Sequence, residues 1–210
     1  MNQIFDFFLE AYKNTPLNLI ILEAIAFIFG IMSVWYAKKE NILVYPTGII
    51  CTIITVYLLY INEYFGDMMM NFYYSVMSIY GWWNWSRKKG EEYLLPISRT
   101  TKKEKLIGLL LFFLTMFVTY IVYKVNNYDL QIPNYIDIVT SGIFFTAMWY
   151  MANKKLENWT LWIIADIITI PLYAYRGLGM LSLQYLIFTI LAIQGYNTWR
   201  KHLNSSQQTA

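Results

Sequence analysis

Trp35-Tyr36-Ala37-Lys38-Lys39-Glu40-Asn41 and Trp149-Tyr150-Met151-Ala152-Asn153-Lys154-Lys155-Leu156-Glu157-Asn158 are two versions of one helix end. An acid stands twelve residues ahead of each Trp-Tyr pair, Glu23 in the first and Asp137 in the second. Each version continues through two lysines to Glu-Asn. The helices further downstream also end alike, in Gly81-Trp82-Trp83-Asn84-Trp85 before Arg87-Lys88 and in Gly195-Tyr196-Asn197-Thr198-Trp199 before Arg200-Lys201. A chain whose first and last thirds repeat in this way forms a bundle with a pseudo-symmetry axis between its halves, and a pathway can run along such an axis.

Composition sets the environment of that bundle. Of 210 residues, 58% are hydrophobic and 14% charged, and the apolar residues fall in long blocks. That places the chain in the membrane class. Lipid offers no hydrogen-bond partner, so each block must satisfy its backbone internally, as helices and not as barrel strands that would alternate polar and apolar. Seven blocks have spanning length: Leu17 to Tyr36, Ile42 to Ile61, Met68 to Trp85, Leu106 to Tyr123, Tyr135 to Ala152, Trp159 to Tyr175 and Met180 to Trp199. Each suits a hydrocarbon core that needs about 20 helical residues. The expected fold is an all-α membrane protein with seven transmembrane helices. Pro16 opens the first block, and Gly66, Gly177 and Gly179 fall in the expected turns.

Other classes find little support. Cys51 is the only cysteine and lies in an apolar run, so neither a disulfide framework nor a cysteine metal cluster is expected. His202 is the only histidine and lies in the polar tail, where solvation is its expected role. The first block ends in Lys38-Lys39 instead of a small-residue cleavage site, so it reads as a retained helix. No cofactor is expected. The net charge of +3 does not point to nucleic acid, because the cations concentrate in particular connections.

Thirteen of the 16 Lys and Arg residues follow the first, third, fifth and seventh blocks, and only Lys13, Lys124 and Arg176 lie in the alternate connections. The positive-inside rule then puts the amino terminus outside and the carboxyl terminus in the cytoplasm of a plasma or inner membrane. Three helices per repeat plus one linker helix give both triplets the same orientation, which makes them parallel repeats. The expected division is 1–85 for the first triplet, 86–133 for a cytoplasmic loop and linker helix, 134–203 for the second triplet, and 204–210 for a disordered tail. Ser86 to Lys105 is expected to be a solvated loop.

Three acids fall inside the blocks: Glu23, Asp137 and Asp166. A mid-bilayer carboxylate costs about 2.5 to 3.5 kcal/mol on insertion scales and marks function by default. Asp166 is the deepest. Glu23 and Asp137 lie near outer helix ends, where an interfacial structural role and a pathway role are both open. No Lys or Arg occupies a helix centre, so Asp166 must turn to hydroxyls, amides, water or a cationic ligand. Trp162, Asp166, Thr169 and Tyr173 share one face of the sixth helix, and a flat cation could be held there by charge and by cation–π contact. The corresponding stripe of the second helix is read as Tyr45, Ile49, Thr52 and Val56, with Ile49 in place of the acid. Asn71, with Tyr74, Ser75 and Ser78, and Gln184, with Phe188, add polar groups to helices three and seven. The tryptophans Trp82, Trp83, Trp85 and Trp199 fit an interfacial aromatic belt.

Asn41 with Tyr45-Pro46-Thr47-Gly48, Ser78-Ile79-Tyr80-Gly81-Trp82-Trp83-Asn84-Trp85, Asn158-Trp159 with Trp162 and Asp166, and Gly195-Tyr196 through Trp199 together span nearly the whole chain. In these motifs the chain resembles PnuC-type vitamin transporters, whose members carry nicotinamide riboside or, in related branches, thiamine or riboflavin. The resemblance implies a three-plus-one-plus-three fold similar to SWEET sugar transporters, a homotrimer in the lipid bilayer, and facilitated diffusion followed by trapping through a cytoplasmic kinase. It also implies that Asn71, Trp162, Asp166 and Gln184 line the substrate site, with Tyr45 and Tyr173 beside it. Nicotinamide riboside and thiamine are both flat cations, and the residue types do not separate them. A membrane enzyme is disfavoured by the lack of an intramembrane histidine, a metal-ligand cluster or a nucleophile paired with a base. A retinal-type receptor would need a lysine in the final helices.

Overall fold

The computed structural model describes residues 15–61, 65–89, 92–93, 95–125, 130–175 and 179–208. Lys13, Arg176 and Gly177 lie outside them. Seven α-helices run through the described residues: α1 (Leu17–Lys38), α2 (Val44–Ile61), α3 (Phe65–Ser86), α4 (Lys102–Val125), α5 (Ile132–Ala152), α6 (Glu157–Tyr175) and α7 (Gly179–Gln208). The fold is all-α apart from a short antiparallel ladder, β1 (Lys88–Lys89) with β2 (Glu92–Tyr93).

Local chemistry accounts for the helix starts. At α4, the Thr101 side chain accepts from the Glu104 N–H at 3.3 Å and the Glu104 carboxylate accepts from the Thr101 N–H at 2.8 Å, a capping box. At α5, where Pro133 stands in the first turn, the Asn134 side chain accepts from the Gln131 N–H at 3.0 Å and the Asn134 N–H donates to the Gln131 backbone carbonyl at 2.9 Å. Among the described residues, α1, α2 and α4 are the helices long and apolar enough to cross a membrane by length and composition. The other four carry polar residues along their length, such as Asp137, Thr140 and Ser141 in α5 and Asn158 and Asp166 in α6, which lower their mean hydropathy.

Three expectations need correction. Gly66 falls in the first turn of α3 and not in a connection. Asn204 to Gln208, expected as disordered tail, continue α7 as helix; no Gly or Pro follows Trp199 to stop it. The segment after the ladder is docked, not simply solvated. Ser98 pairs with the turn between α5 and α6, donating its N–H to the Lys154 carbonyl at 3.1 Å and accepting from the Leu156 N–H at 2.9 Å. Lys155 ties the same turn to the Ser98 hydroxyl at 3.0 Å and to Glu104 at 2.8 Å.

The helices close a ring. α1 packs on α2, α2 on α3, α3 on α5, α5 on α6, α6 on α7, and α7 returns to α1. α4 rests on α5 outside that ring. It is joined there by Thr146 donating to the Gly108 carbonyl at 3.1 Å and Tyr150 to the Glu104 carbonyl at 3.3 Å. Near the opposite end of α4, Tyr123 donates to the Asp137 carboxylate. Asp137 therefore anchors α4, the helix outside the ring, to α5.

One offset relates the contacts of α1–α3 to those of α5–α7. Glu40 and Lys154, 114 positions apart, both have positive φ, at 55° and 48°. Around them the two turns make matching backbone bonds: Asn41 N–H to the Tyr36 carbonyl at 3.0 Å, and Lys155 N–H to the Tyr150 carbonyl at 2.9 Å. The same offset carries Trp85 onto Trp199 and Met151 onto Ala37. The Trp85 indole N–H donates to the Met151 carbonyl at 3.3 Å, and the Trp199 N–H donates to the Ala37 carbonyl at 3.1 Å. Gly81 and Gly195 match as well. A Cβ on Gly81 would lie 2.5 Å from the Tyr45 Cζ, and one on Gly195 2.7 Å from the Trp159 ring, so each glycine gives an aromatic ring room against a helix.

This register changes one sequence assignment. The turns align Tyr45 with Trp159, so the counterpart of Asp166 is Thr52 and not Ile49. The Glu-Asn pairs mislead because Leu156 stands between Lys155 and Glu157, while the turns themselves have equal length.

Candidate functional site

Side chains of non-adjacent helices meet inside the ring. Trp162 of α6 lies 6.2 Å, centroid to centroid, from Tyr74 of α3, and 5.5 Å from Phe144 of α5. Phe144 reaches Tyr185 of α7 at 5.9 Å, and Tyr185 meets Tyr173 at 5.3 Å and Phe188 at 6.0 Å. Tyr74–Trp162 and Phe144–Tyr185 cross the interior, because neither pair of helices is adjacent in the ring. The outcome is a connected aromatic lining near the middle of the bundle. Its backing is firm: Tyr73 stacks on Phe145 with centroids 3.3 Å apart and donates to the Phe145 carbonyl at 3.1 Å.

Asp166 sits one helical turn beyond Trp162 on the same face of α6. It is 2% exposed, and its Oδ1 has no hydrogen-bond partner among the described residues. Thr169, the hydroxyl nearest in sequence on that face, is committed elsewhere, donating to the Ala165 carbonyl at 2.7 Å. Burying a carboxylate oxygen without a donor is costly, so a partner that arrives as ligand is the natural complement. One turn further on, Pro171 removes a donor from the α6 backbone, and Ser182 of α7 donates to the Ile170 carbonyl at 3.0 Å.

The two halves differ at this position. Thr52, the counterpart of Asp166, shares a 2.7 Å hydrogen bond with Ser75 of α3, and Ser75 also donates to the Asn71 carbonyl at 3.1 Å. At this position the first half is thus satisfied within itself. Gln184 lies on the other side, where a Cβ on Gly30 would come within 3.2 Å of its amide nitrogen and of the Cys51 sulfur.

The structure brings Trp162 and Tyr173 into one aromatic chain, places Asp166 on the Trp162 face, and sets Asn71 one turn from Ser75 and Gln184 against Gly30. Tyr45 is placed differently. It is fully buried in a core with Val44, Trp85, Trp159 and Trp199, edge-on to Trp85 at 5.1 Å. Sequence reasoning passed over Phe144 and Tyr185, which join the rings. Phe144 carries no polar signal, but Tyr185 was accessible: the offset relating Tyr36 to Tyr150 carries Asn71 onto Tyr185.

Residues 20–201 match the family described as nicotinamide mononucleotide transporter. The chain belongs to the nicotinamide mononucleotide transporter family. It is similar to the nicotinamide riboside transporter PnuC of Escherichia coli, at 25% identity over 210 residues that cover 89% of this chain and 87% of that protein. The nicotinamide riboside transporter PnuC of Neisseria mucosa is 25% identical over 196 residues, covering 86% and 72%. A crystal structure of the vitamin B3 transporter PnuC superposes with a TM-score of 0.68 at 25% identity, covering 86% of this chain and 80% of that one. Membership makes the chain a membrane transporter of a small molecule and not an enzyme. The PnuC-type resemblance read from its motifs is borne out.

Proposed function

We propose that this protein carries nicotinamide riboside across the membrane by facilitated diffusion. The observation that carries the reading is the Asp166 carboxylate oxygen, buried without a donor one turn from a tryptophan that reaches across the ring. Nicotinamide riboside is a flat cation with a hydroxylated sugar. Its ring would lie on Trp162 beside Asp166, held by charge and by the aromatic face. Asn71 and Gln184 would bind the ribose hydroxyls, and Tyr173 would close the aromatic lining through Tyr185. Tyr45 supports the site from the core beneath.

The architecture that suits this role is seven transmembrane helices, with α1–α3 and α5–α7 as parallel repeats and α4 as linker. The domain division is the one expected from the sequence, with α7 extended into the tail. The lysine-rich turns would face the cytoplasm and the amino terminus the outside of the plasma or inner membrane. Exposed Leu106, Leu109, Leu110, Phe113 and Phe117 on α4 support contact with lipid or a neighbouring copy, in keeping with a homotrimer. Rocking of the triplets about the shared axis would expose the site to each side in turn.

Thiamine, also a flat cation, is the second reading, because the Asp166–Trp162 pair suits either vitamin. Uptake of labelled nicotinamide riboside into vesicles holding the purified protein, with unlabelled thiamine as competitor, decides between them. Saturable uptake that excess thiamine leaves untouched supports the proposal. Thiamine uptake without nicotinamide riboside uptake replaces it with the second reading.

A further inference from the structure

At the end of the ring that bears the lysine-rich turns, the matched positions of the two halves meet each other. Trp85 and Trp199 lie 6.0 Å apart, centroid to centroid, in the core with Tyr45 and Trp159. Glu40 and Lys154, also matched, form an ion pair at 2.7 Å. Residues related by a two-fold relation meet only on its axis, so these contacts stand across the line along which a substrate would pass. Like residues at the two turns would set like charges face to face. Glu40 and Lys154 have diverged to opposite signs, and the meeting becomes attractive.

The pair is uneven in its surroundings. The Lys154 side chain is 5% exposed and lies 4.7 Å from the centroid of the Trp85 ring, whereas the Glu40 side chain is 28% exposed. Glu40 borders a cavity of about 330 Å³ with Pro96, Ile97, His202, Leu203 and Ser205. The Lys154 carbonyl is held by the Ser98 N–H. Lys154 thus belongs to the strapped half, and Glu40 reaches it from the other half.

We propose that the Glu40–Lys154 ion pair, laid over the Trp85–Trp199 contact, is the gate that closes this end of the pathway and must part when the site opens to that side. The proposal rests on the reading of the chain as a carrier whose site lies inside the ring. A buried ammonium deprived of its carboxylate is disfavoured, so the pair biases the protein towards the closed state; the partly exposed Glu40, with His202 3.8 Å away on its other oxygen, can leave without being stranded.

Cys51 is a built-in reporter. It lies six residues beyond Tyr45 on α2, about 9 Å further along the helix axis at 1.5 Å per residue, and packs near Gly30 and Gln184. In vesicles presenting the lysine-rich face, a membrane-impermeant maleimide should modify Cys51 slowly in the native protein. Glu40→Gln should raise the rate about tenfold, the change expected when the closed state gives up one charge-assisted hydrogen bond. Glu40→Lys with Lys154→Glu should return the rate to that of the native protein, which separates failure of the gate from misfolding. Native rates in Glu40→Gln overturn the gate, as does failure of the reversed pair to restore protection. Nicotinamide riboside uptake is measured on the same vesicles. Gated labelling without uptake removes the substrate reading and leaves the gate; uptake with ungated labelling does the reverse.

Discussion

Thr52 and Asp166 occupy matched positions in the two halves, and only one of them is finished. Thr52 has a hydroxyl partner in Ser75 at 2.7 Å. Asp166 has a carboxylate oxygen left over. A symmetric frame has thus been kept where the halves pack on each other and abandoned at the position proposed to meet the substrate. Packing constrains both copies alike, since Trp85 and Trp199 each take a carbonyl and Tyr45 and Trp159 each need a glycine. Binding an asymmetric solute asks different things of the two sides.

Removing the acid should have the largest effect. Asp166→Asn is expected to lower nicotinamide riboside uptake about 100-fold, the scale of a charge-assisted hydrogen bond in a dry site, whereas Thr52→Ala should change it by less than about threefold, the scale of one neutral hydrogen bond. Equal effects in an initial-rate assay on vesicles would erase the distinction between the halves. Moving the acid sharpens it. In the Asp166→Asn background, Thr52→Asp should recover part of the uptake and Ile49→Asp none, because the turns place Thr52 and not Ile49 opposite the missing acid. Recovery by Ile49→Asp instead would restore the register read from Glu-Asn.

Where the halves agree, they should respond alike. Gly81→Ala and Gly195→Ala each push a Cβ into a buried ring, and each should destabilise the folded protein by about 1–3 kcal/mol, the usual range for overpacking. Thermal unfolding in detergent reads this, and destabilisation confined to one glycine would break the match. The smallest effect belongs to Tyr45. Its hydroxyl is buried without a partner among the described residues, so Tyr45→Phe should leave uptake near the native rate and stability unchanged or slightly raised. A large drop in uptake would return Tyr45 to the substrate.

Much of this was legible in the residues. Apolar block length located the seven helices to within a few residues except at the end of α7, which runs on past Trp199 to Gln208, because hydropathy marks where an apolar helix runs and not where its polar continuation stops. The Trp-Tyr and Gly-to-Trp matches located the repeated ends. The register of α2 against α6 was not legible, since lysines and Glu-Asn pairs occur at shifted places in turns of equal length, and only backbone hydrogen bonds reveal the equal length. Ser98 gave no warning either. A short extended segment pairs through main-chain atoms, which carry no residue-type signal. Asp166 stood out because an acid in an apolar block is expensive, and Phe144 escaped because a phenylalanine there is ordinary.

The reciprocal indole bonds carry a last implication. Each donor finds its acceptor only in the opposite three-helix unit, Trp85 on Met151 and Trp199 on Ala37. A unit cut out by itself would be left with a dangling indole N–H and a carbonyl held only by its own turn, and two copies placed face to face would restore both indole bonds at once. The single polypeptide therefore preserves, within one chain, the docking scheme of a pair of identical subunits.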